Sequence, residues 1–134
     1  MPCLILYSKA KFACYSRYLL TSYFCIPVLY NGKDIFWDTA AKLAAGVTDT
    51  AVTMAVKSHL RGGKPVVLAF GSNDGLSASA KNIGELLNRK HYYFVPFYQD
   101  DPEKKPRSLA SDYSLLESAI LAAQRGEQLQ PILR

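Results

Sequence analysis

The sequence predicts an α/β domain built on a parallel sheet, and three observations carry that expectation. Residues 66–70 and 92–97 are short apolar runs rich in β-branched and aromatic side chains, the composition of buried strands. Residues 76–89 between them have helical apolar spacing and are long enough for a crossover, so the two strands should lie parallel in a right-handed unit. Each run ends in a polar cluster, Gly71-Ser72-Asn73-Asp74-Gly75 after the first and Tyr98-Gln99-Asp100-Asp101-Pro102 after the second. Parallel strands bring both clusters to one edge, where open α/β sheets bind ligands.

Composition sets the bounds. The chain of 134 residues fits one domain with a sizeable core, and 49% apolar with 20% charged residues is an ordinary globular balance. A net charge of +5 comes from short scattered groups (residues 57–64, 89–91 and 104–107). Nucleic-acid binding needs a continuous basic face with stacking aromatics, so solvated surface charge is the reading taken. Cys3, Cys14 and Cys25 have eleven-residue spacing, which matches neither a metal-binding pair nor a disulfide framework, and a reducing cytoplasmic setting is expected. Residues 18–30 are apolar but too short to span a bilayer and contain Pro27, so a buried strand is expected and no membrane association.

In chain order, residues 3–7 and 24–30 read as strands with an ambiguous, helix-like segment between them, in a stretch crowded with tyrosine. The first glycine is Gly32, so no Gly-rich phosphate turn opens the chain. After a turn at 31–34, residues 37–60 read as a helix in two pieces broken at Gly46. Ala41, Leu43, Ala44 and Val47 should line the first piece. Thr48 or Asp49 should cap the second, with Val52, Met54, Ala55, Val56 and Leu60 mostly buried. Glycine in the segment 61–65 ends it. Ser77 or Ser79 should cap the crossover helix, with Ile83, Leu86 and Leu87 facing the sheet and the positive helix end aimed at the polar edge. Pro102 and Pro106 stiffen the loop after the second strand. Ser111 or Asp112 should cap a last helix carrying Leu115, Leu116, Ile120 and Ala123 on one face, and a tail from Glu127 should dock through Leu129, Ile132 and Leu133 on the body or a partner.

No nucleophile elbow, phosphate loop, dinucleotide fingerprint or zinc-protease helix is present. Asp100 and Asp101 are candidates for acid and base work because neighbouring carboxylates push their pKa values apart, but sequence neighbours point different ways, which favours ligand or partner contact. His59 and His91 read as surface or capping residues. No residue is assigned to catalysis and none to a metal.

The motifs do carry a resemblance. Residues 39–42 with LAAGVTDT at 43–50, MAVK at 54–57, PVVL at 65–68, SNDG at 72–75, AKNI at 80–83, YFVPF at 93–97, QDDPEKKPRS at 99–108, Leu109 and QLQPIL at 128–133 resemble the dipicolinate synthase B-subunit family over residues 39–134. The resemblance implies a Rossmann-like, flavoprotein-type three-layer α/β sandwich with a parallel sheet. It divides the single domain into an atypical N-terminal segment (1–38) and a family-like core (39–134). It implies the last oxidation of a dihydrodipicolinate precursor to dipicolinate, in the cytoplasm of the mother cell of a sporulating bacterium. An A subunit carrying NADP would be the partner, in a homo- or hetero-oligomer, and FMN is the cofactor implied by the superfamily. Ligand-binding residues would be Thr39, Ser72, Asn73, Asp74, Asn82, Gln99, Asp100, Asp101, Lys104 and Lys105. Asn73 and Gln99 would hold amide or carboxylate groups, Asp74 would cap or orient, and Lys104 and Lys105 would attract two carboxylates.

The sequence also departs from the family. Nothing in residues 1–30 matches the family's longer opening region with its strand and Gly-Ser or Gly-Thr turn, and the Pro-Cys-Thr-Gly-Asn-Thr run keeps only Thr39. Tyr98 replaces a glycine before the QDDP run, placing a ring where a flavin would approach the backbone. These departures suggest a shortened or rearranged gene product. The rival reading is a non-catalytic subunit or remnant that binds a partner through its tail and an open sheet edge.

Overall fold

The computed structural model describes the strands β1 (Ile5–Tyr7), β2 (Lys11–Ala13) and β3 (Ile26–Tyr30) and every residue from Ile35 to Arg134, with side chains from Asp38 onward. The three cysteines, the turn at 31–34 and the ambiguous segment beyond Ala13 lie outside the described residues. β1 pairs antiparallel with β2 and parallel with β3, so residues 5–7 and 26–30 are strands as read, and part of the ambiguous segment is strand rather than helix.

The centre of the domain is β4 (Val66–Leu68) beside β6 (Tyr92–Phe94), and the two run parallel, with Val66 opposite Tyr92, Val67 opposite Tyr93 and Leu68 opposite Phe94. Residues 66–70 are all fully buried, which is why this strand reads as an unbroken apolar run: both faces are covered. Side chains alternate across the sheet. Val66, Leu68, Phe70, Tyr92 and Phe94 meet Ala40 and Leu43 of α1 (Ile35–Ala45), Val56 of α2 (Ala51–Arg61), and Ile83 and Leu86 of α3 (Ala80–Leu87). Val67, Ala69 and Val95 meet Ala119 and Ala123 of α4 (Leu116–Gln124). Phe70, Phe94 and Phe97 knit the first cluster together with ring centroids 5.3 to 6.3 Å apart.

Neither central strand runs as far as its apolar composition suggests. The parallel ladder ends with the Val95 N–H on the Leu68 carbonyl at 2.9 Å, and beyond it the strands separate. The first continues as β5 (Gly71–Ser72) and the second as β7 (Phe97–Tyr98), while β8 (Leu109–Ser111) enters between them, antiparallel to both. Ser111 seals the fork. Its Oγ accepts from the Phe70 N–H at 2.9 Å and its own N–H donates to the Phe70 carbonyl at 2.6 Å, so a buried backbone unit is fully satisfied at the branch. Gly75 lets the insertion sit close, since a Cβ there would lie 2.9 Å from the Leu109 Cβ.

The tail closes the far edge. Gln128 uses both halves of its amide on one residue: its Oε1 accepts from the Phe94 N–H and its Nε2 donates to the Phe94 carbonyl, each at 2.7 Å. Further on, the Phe97 N–H donates to the Ile132 carbonyl and the Arg134 N–H to the Phe97 carbonyl, a short parallel extension of β7. β3 runs alongside β4 at the other side of the pair. Among the described residues β6 is the one strand hydrogen-bonded to β4, and the tail covers the far edge of β6. Leu129 and Ile132 pack on the body as expected, and Leu133 stays 62% exposed.

The helices depart from their expected phases and caps. Val47, Met54 and Leu87 are exposed, and Thr53 is fully buried in their stead. Thr53 belongs inside because it completes a capping box: its hydroxyl lies 2.9 Å from that of Thr50, and each side chain also takes the other's backbone N–H. Thr50, rather than Thr48 or Asp49, is thus the cap of α2. The crossover helix begins at Ala80 after a run of turns, later than the apolar spacing suggests. Asp112 caps a single 3-10 turn (Tyr113–Leu115) that leads into α4, and its carboxylate accepts from the Ser114 N–H at 3.1 Å.

Candidate functional site

Two polar loops sit at the carboxyl ends of the parallel pair, as the strand directions require. They are not neighbours across a bare cleft, because β8 stands between β5 and β7, placing the loop bases two strand spacings or about 10 Å apart. They meet at one backbone bond, where the Leu76 N–H donates to the Arg107 carbonyl at 3.0 Å. The rim is one continuous surface of residues 71–76 and 99–109.

The first loop is organised around Asp74. Its Oδ1 accepts from the Ser72 hydroxyl at 2.8 Å and the Ser79 hydroxyl at 3.1 Å, while its N–H donates to Ser72 Oγ at 2.9 Å. The Ser77 N–H donates to the Asp74 carbonyl, the Ala80 N–H to that of Ser77, and the Asn82 N–H to that of Ser79. Part of the amide row leading into α3 is thus bonded within the turns, and the anion near the positive helix end is the chain's own Asp74. Ser79, the residue before the helix, gives its hydroxyl to Asp74 and makes no side-chain cap bond. Asn73 is exposed at the loop tip, with no hydrogen bond among the described residues. Asn82 is half-buried one turn into α3, and Thr39 is buried in α1 at 5% exposure.

The second loop closes on itself in the same way. Gln99 Nε2 donates to the Pro106 carbonyl at 2.9 Å, and Asp101 Oδ1 accepts from the Lys104 N–H at 3.1 Å. Asp100 accepts the buried Ser108 hydroxyl at 2.5 Å and pairs with Lys105 Nζ at 3.4 Å. The Ser108 hydroxyl, seconded by Lys105, holds the Asp100 carboxyl below its ordinary pKa, so Asp100 is an anion at neutral pH. The Lys104 side chain is exposed and unpaired among the described residues. The structure thus brings Ser72, Asp74 and Ser79 together, and separately Asp100, Lys105 and Ser108. It joins neither group to Thr39 through a hydrogen bond. Ser79, read as a helix cap, and Ser108 were not read as partners of the acids, because a serine five or eight residues from an aspartate carries no mark that the loop will fold its hydroxyl onto it.

Chemically, the rim is a shaped polar surface whose carboxylates are mostly engaged within the chain. Its free groups include the Asn73 amide, the Gln99 carbonyl oxygen, the Lys104 ammonium, and the exposed Glu103 and Arg107 side chains. No trio of His, Cys, Asp or Glu comes together to hold a metal among the described residues.

Fold and rim define an α/β protein with a parallel core, helices on both faces and polar loops at the carboxyl ends of the central strands. No family model matches the chain. Over 96 residues, 72% of this chain and 48% of the relative, it is 43% identical to the B subunit of dipicolinate synthase from Bacillus subtilis (strain 168). The crystal structure of the corresponding B subunit from Bacillus halodurans matches with a TM-score of 0.71 at 43% identity, covering 73% of this chain and 50% of that one. The resemblance to the dipicolinate synthase B-subunit family is therefore shown in sequence and in three dimensions. The chain spans about half the length of the relatives it matches.

Proposed function

We propose that the chain acts as a B-type component of dipicolinate synthase, contributing to the oxidation of a dihydrodipicolinate precursor to dipicolinate. The observation that carries this reading is the 43% identity sustained over 96 residues and matched by a TM-score of 0.71. In this reading the flavoprotein-type three-layer sandwich is the full form of the fold, and an A subunit supplies the NADP site. The complex is a hetero-oligomer working in the mother cell of a sporulating bacterium. The free amide of Asn73 and the Lys104 ammonium are the groups best suited to a carboxylate-bearing substrate at the rim. No helix among the described residues is long and apolar enough to cross a membrane.

FMN fits this rim poorly. A flavin phosphate needs free hydroxyls and amides, whereas Ser72, Ser79 and Ser108 are turned onto Asp74 and Asp100, whose charges oppose a phosphate. Tyr98, 40% exposed, stands at the same edge. No step of the proposed reaction is routed through a flavin.

The same engagement of the rim's hydrogen-bonding groups supports a second reading. Rim carboxylates held by hydroxyls, amides and lysine are poor proton carriers, which favours a non-catalytic subunit that supports a catalytic partner. One reconstitution addresses both. The purified chain is mixed with a dipicolinate synthase A subunit, and NADPH and dipicolinate are followed by absorbance. Product formed at a rate lowered by Asn73→Ala and Lys104→Ala supports a substrate-contacting role. Activation by the chain that is indifferent to those variants supports the second reading. No binding and no activation would overturn both.

A further inference from the structure

The opposite end of the parallel pair carries a cavity of about 380 Å³, within the size range of small-molecule sites. It lies between the α1–α2 connection, the last turns of α2 and the start of β6. Leu43, Val56 and Leu60 give it an apolar wall. Its polar fittings are unbalanced. Tyr92 lines the cavity at 8% exposure, and its hydroxyl has no hydrogen-bond partner among the described residues. Burial raises the phenol pKa above its ordinary value, so it is held as a neutral donor. Every fully buried side-chain polar atom among the described residues has a hydrogen-bond partner, so this unpartnered hydroxyl is not sealed in the core but open to the cavity, where a ligand can reach it.

The charge at the cavity has one sign. Lys57 and Arg61 line it one turn apart on α2, a like-charged pair on one helix face, and neither meets an acid among the described residues. Arg89, the third cation, is committed. It pairs with Glu85 at 3.0 Å and donates to the carbonyls of Leu43 and Ala44, so it fixes the wall and holds the nearby acid. Asp38 and Asp49 are likewise held by Lys42 at 3.0 and 3.2 Å. What remains is an apolar hollow with one unmet donor and two unmet cations.

We propose that this cavity binds a small amphipathic carboxylate, its hydrocarbon body against Leu43, Val56 and Leu60 and its carboxylate on the Tyr92 hydroxyl, Lys57 and Arg61. The site is separate from the rim and stands whether or not the rim reacts. Apolar contact supplies the affinity and the cations select the charged end.

Calorimetric titration of the full chain with octanoate tests it, with octanol and acetate as probes lacking the charge and the body. Octanoate should bind saturably at about millimolar concentration, and octanol and acetate at least about tenfold more weakly. Tyr92→Phe should weaken octanoate about threefold and Lys57→Gln with Arg61→Gln about tenfold, while octanol changes little. Both the lysine and the arginine are exposed, so the double variant should keep the wild-type melting curve and report binding alone. Asn73→Ala at the rim should bind octanoate as wild type does. Equal affinity for octanoate and octanol, wild-type affinity in the double variant, or no saturable heat from folded protein up to about 10 mM would overturn the proposal.

Discussion

Gln128→Ala isolates the most concentrated contact in the domain. The amide of Gln128 satisfies the N–H and the carbonyl of Phe94 at 2.7 Å each, and Phe94 is 1% exposed. Truncation leaves two buried backbone groups unpaired at about 1–3 kcal/mol each. Because Gln128 itself is half-buried, water can reach part of the gap, and we expect a total loss of about 2–3 kcal/mol. At about 3–4 °C per kcal/mol for a chain of this size, the melting temperature should fall by about 6–12 °C. Urea unfolding gives the energy, and hydrogen exchange should show the Phe94 amide losing protection. Gln128→Glu sharpens the test. An ionised glutamate keeps the acceptor but faces the Phe94 carbonyl with no donor, whereas the protonated acid restores both bonds. Its deficit should therefore shrink as pH falls through the carboxylic range. A loss under about 0.5 kcal/mol for the alanine variant, or wild-type stability of the glutamate variant at neutral pH, would refute the reasoning.

Three further substitutions probe other links. Ser111→Ala strips the buried Phe70 N–H of its acceptor and should cost about 1–3 kcal/mol in urea unfolding, and a near-neutral result would mean that the fork does not need the hydroxyl. Gly75→Ala drives a methyl into Leu109 and should cost about 1–3 kcal/mol, read from the same titration, unless the loop moves away intact. Asp100 has a depressed pKa, so its contribution to stability is full above the ordinary carboxylate pKa of about 3.9 and is lost as pH falls through the lower folded value. Asp100→Asn should therefore flatten the acid limb of melting temperature against pH. Superimposable curves for the variant and the wild type would remove Asp100 from that account.

The parallel core was legible because it is written in local composition: β-branched and aromatic runs at 66–70 and 92–97, separated by a helix-length stretch, leave few topologies open. The helices were legible in position and less so in phase. Met54 and Leu87 looked like core residues and are exposed, because tertiary packing chose which side of a broadly apolar helix to bury. Thr53 looked polar and is buried, because its hydroxyl is bonded to Thr50. β8 was illegible. Leu109-Ala110-Ser111 has no strand alternation to speak of, and only its two flanking partners make it a strand. Of the candidate site, the two loops were found and their shared rim foreseen. The intervening strand depends on contacts between distant segments, which no local spacing encodes, and the serines lie near their acids in sequence but are turned onto them only by the folding of each loop.

Because both rim loops hang on β8, they cannot be exchanged independently. A chimaera that took only residues 99–108 from a longer relative would meet the host's 71–76 through a strand fitted to another sequence, with Leu109 pressed on Gly75 and Ser111 locked on Phe70. Recombination designed from this domain should move residues 71–76 and 97–112 as a single cassette. Activity lost in half-swaps and recovered in the joint swap would be the signature of that shared anchor.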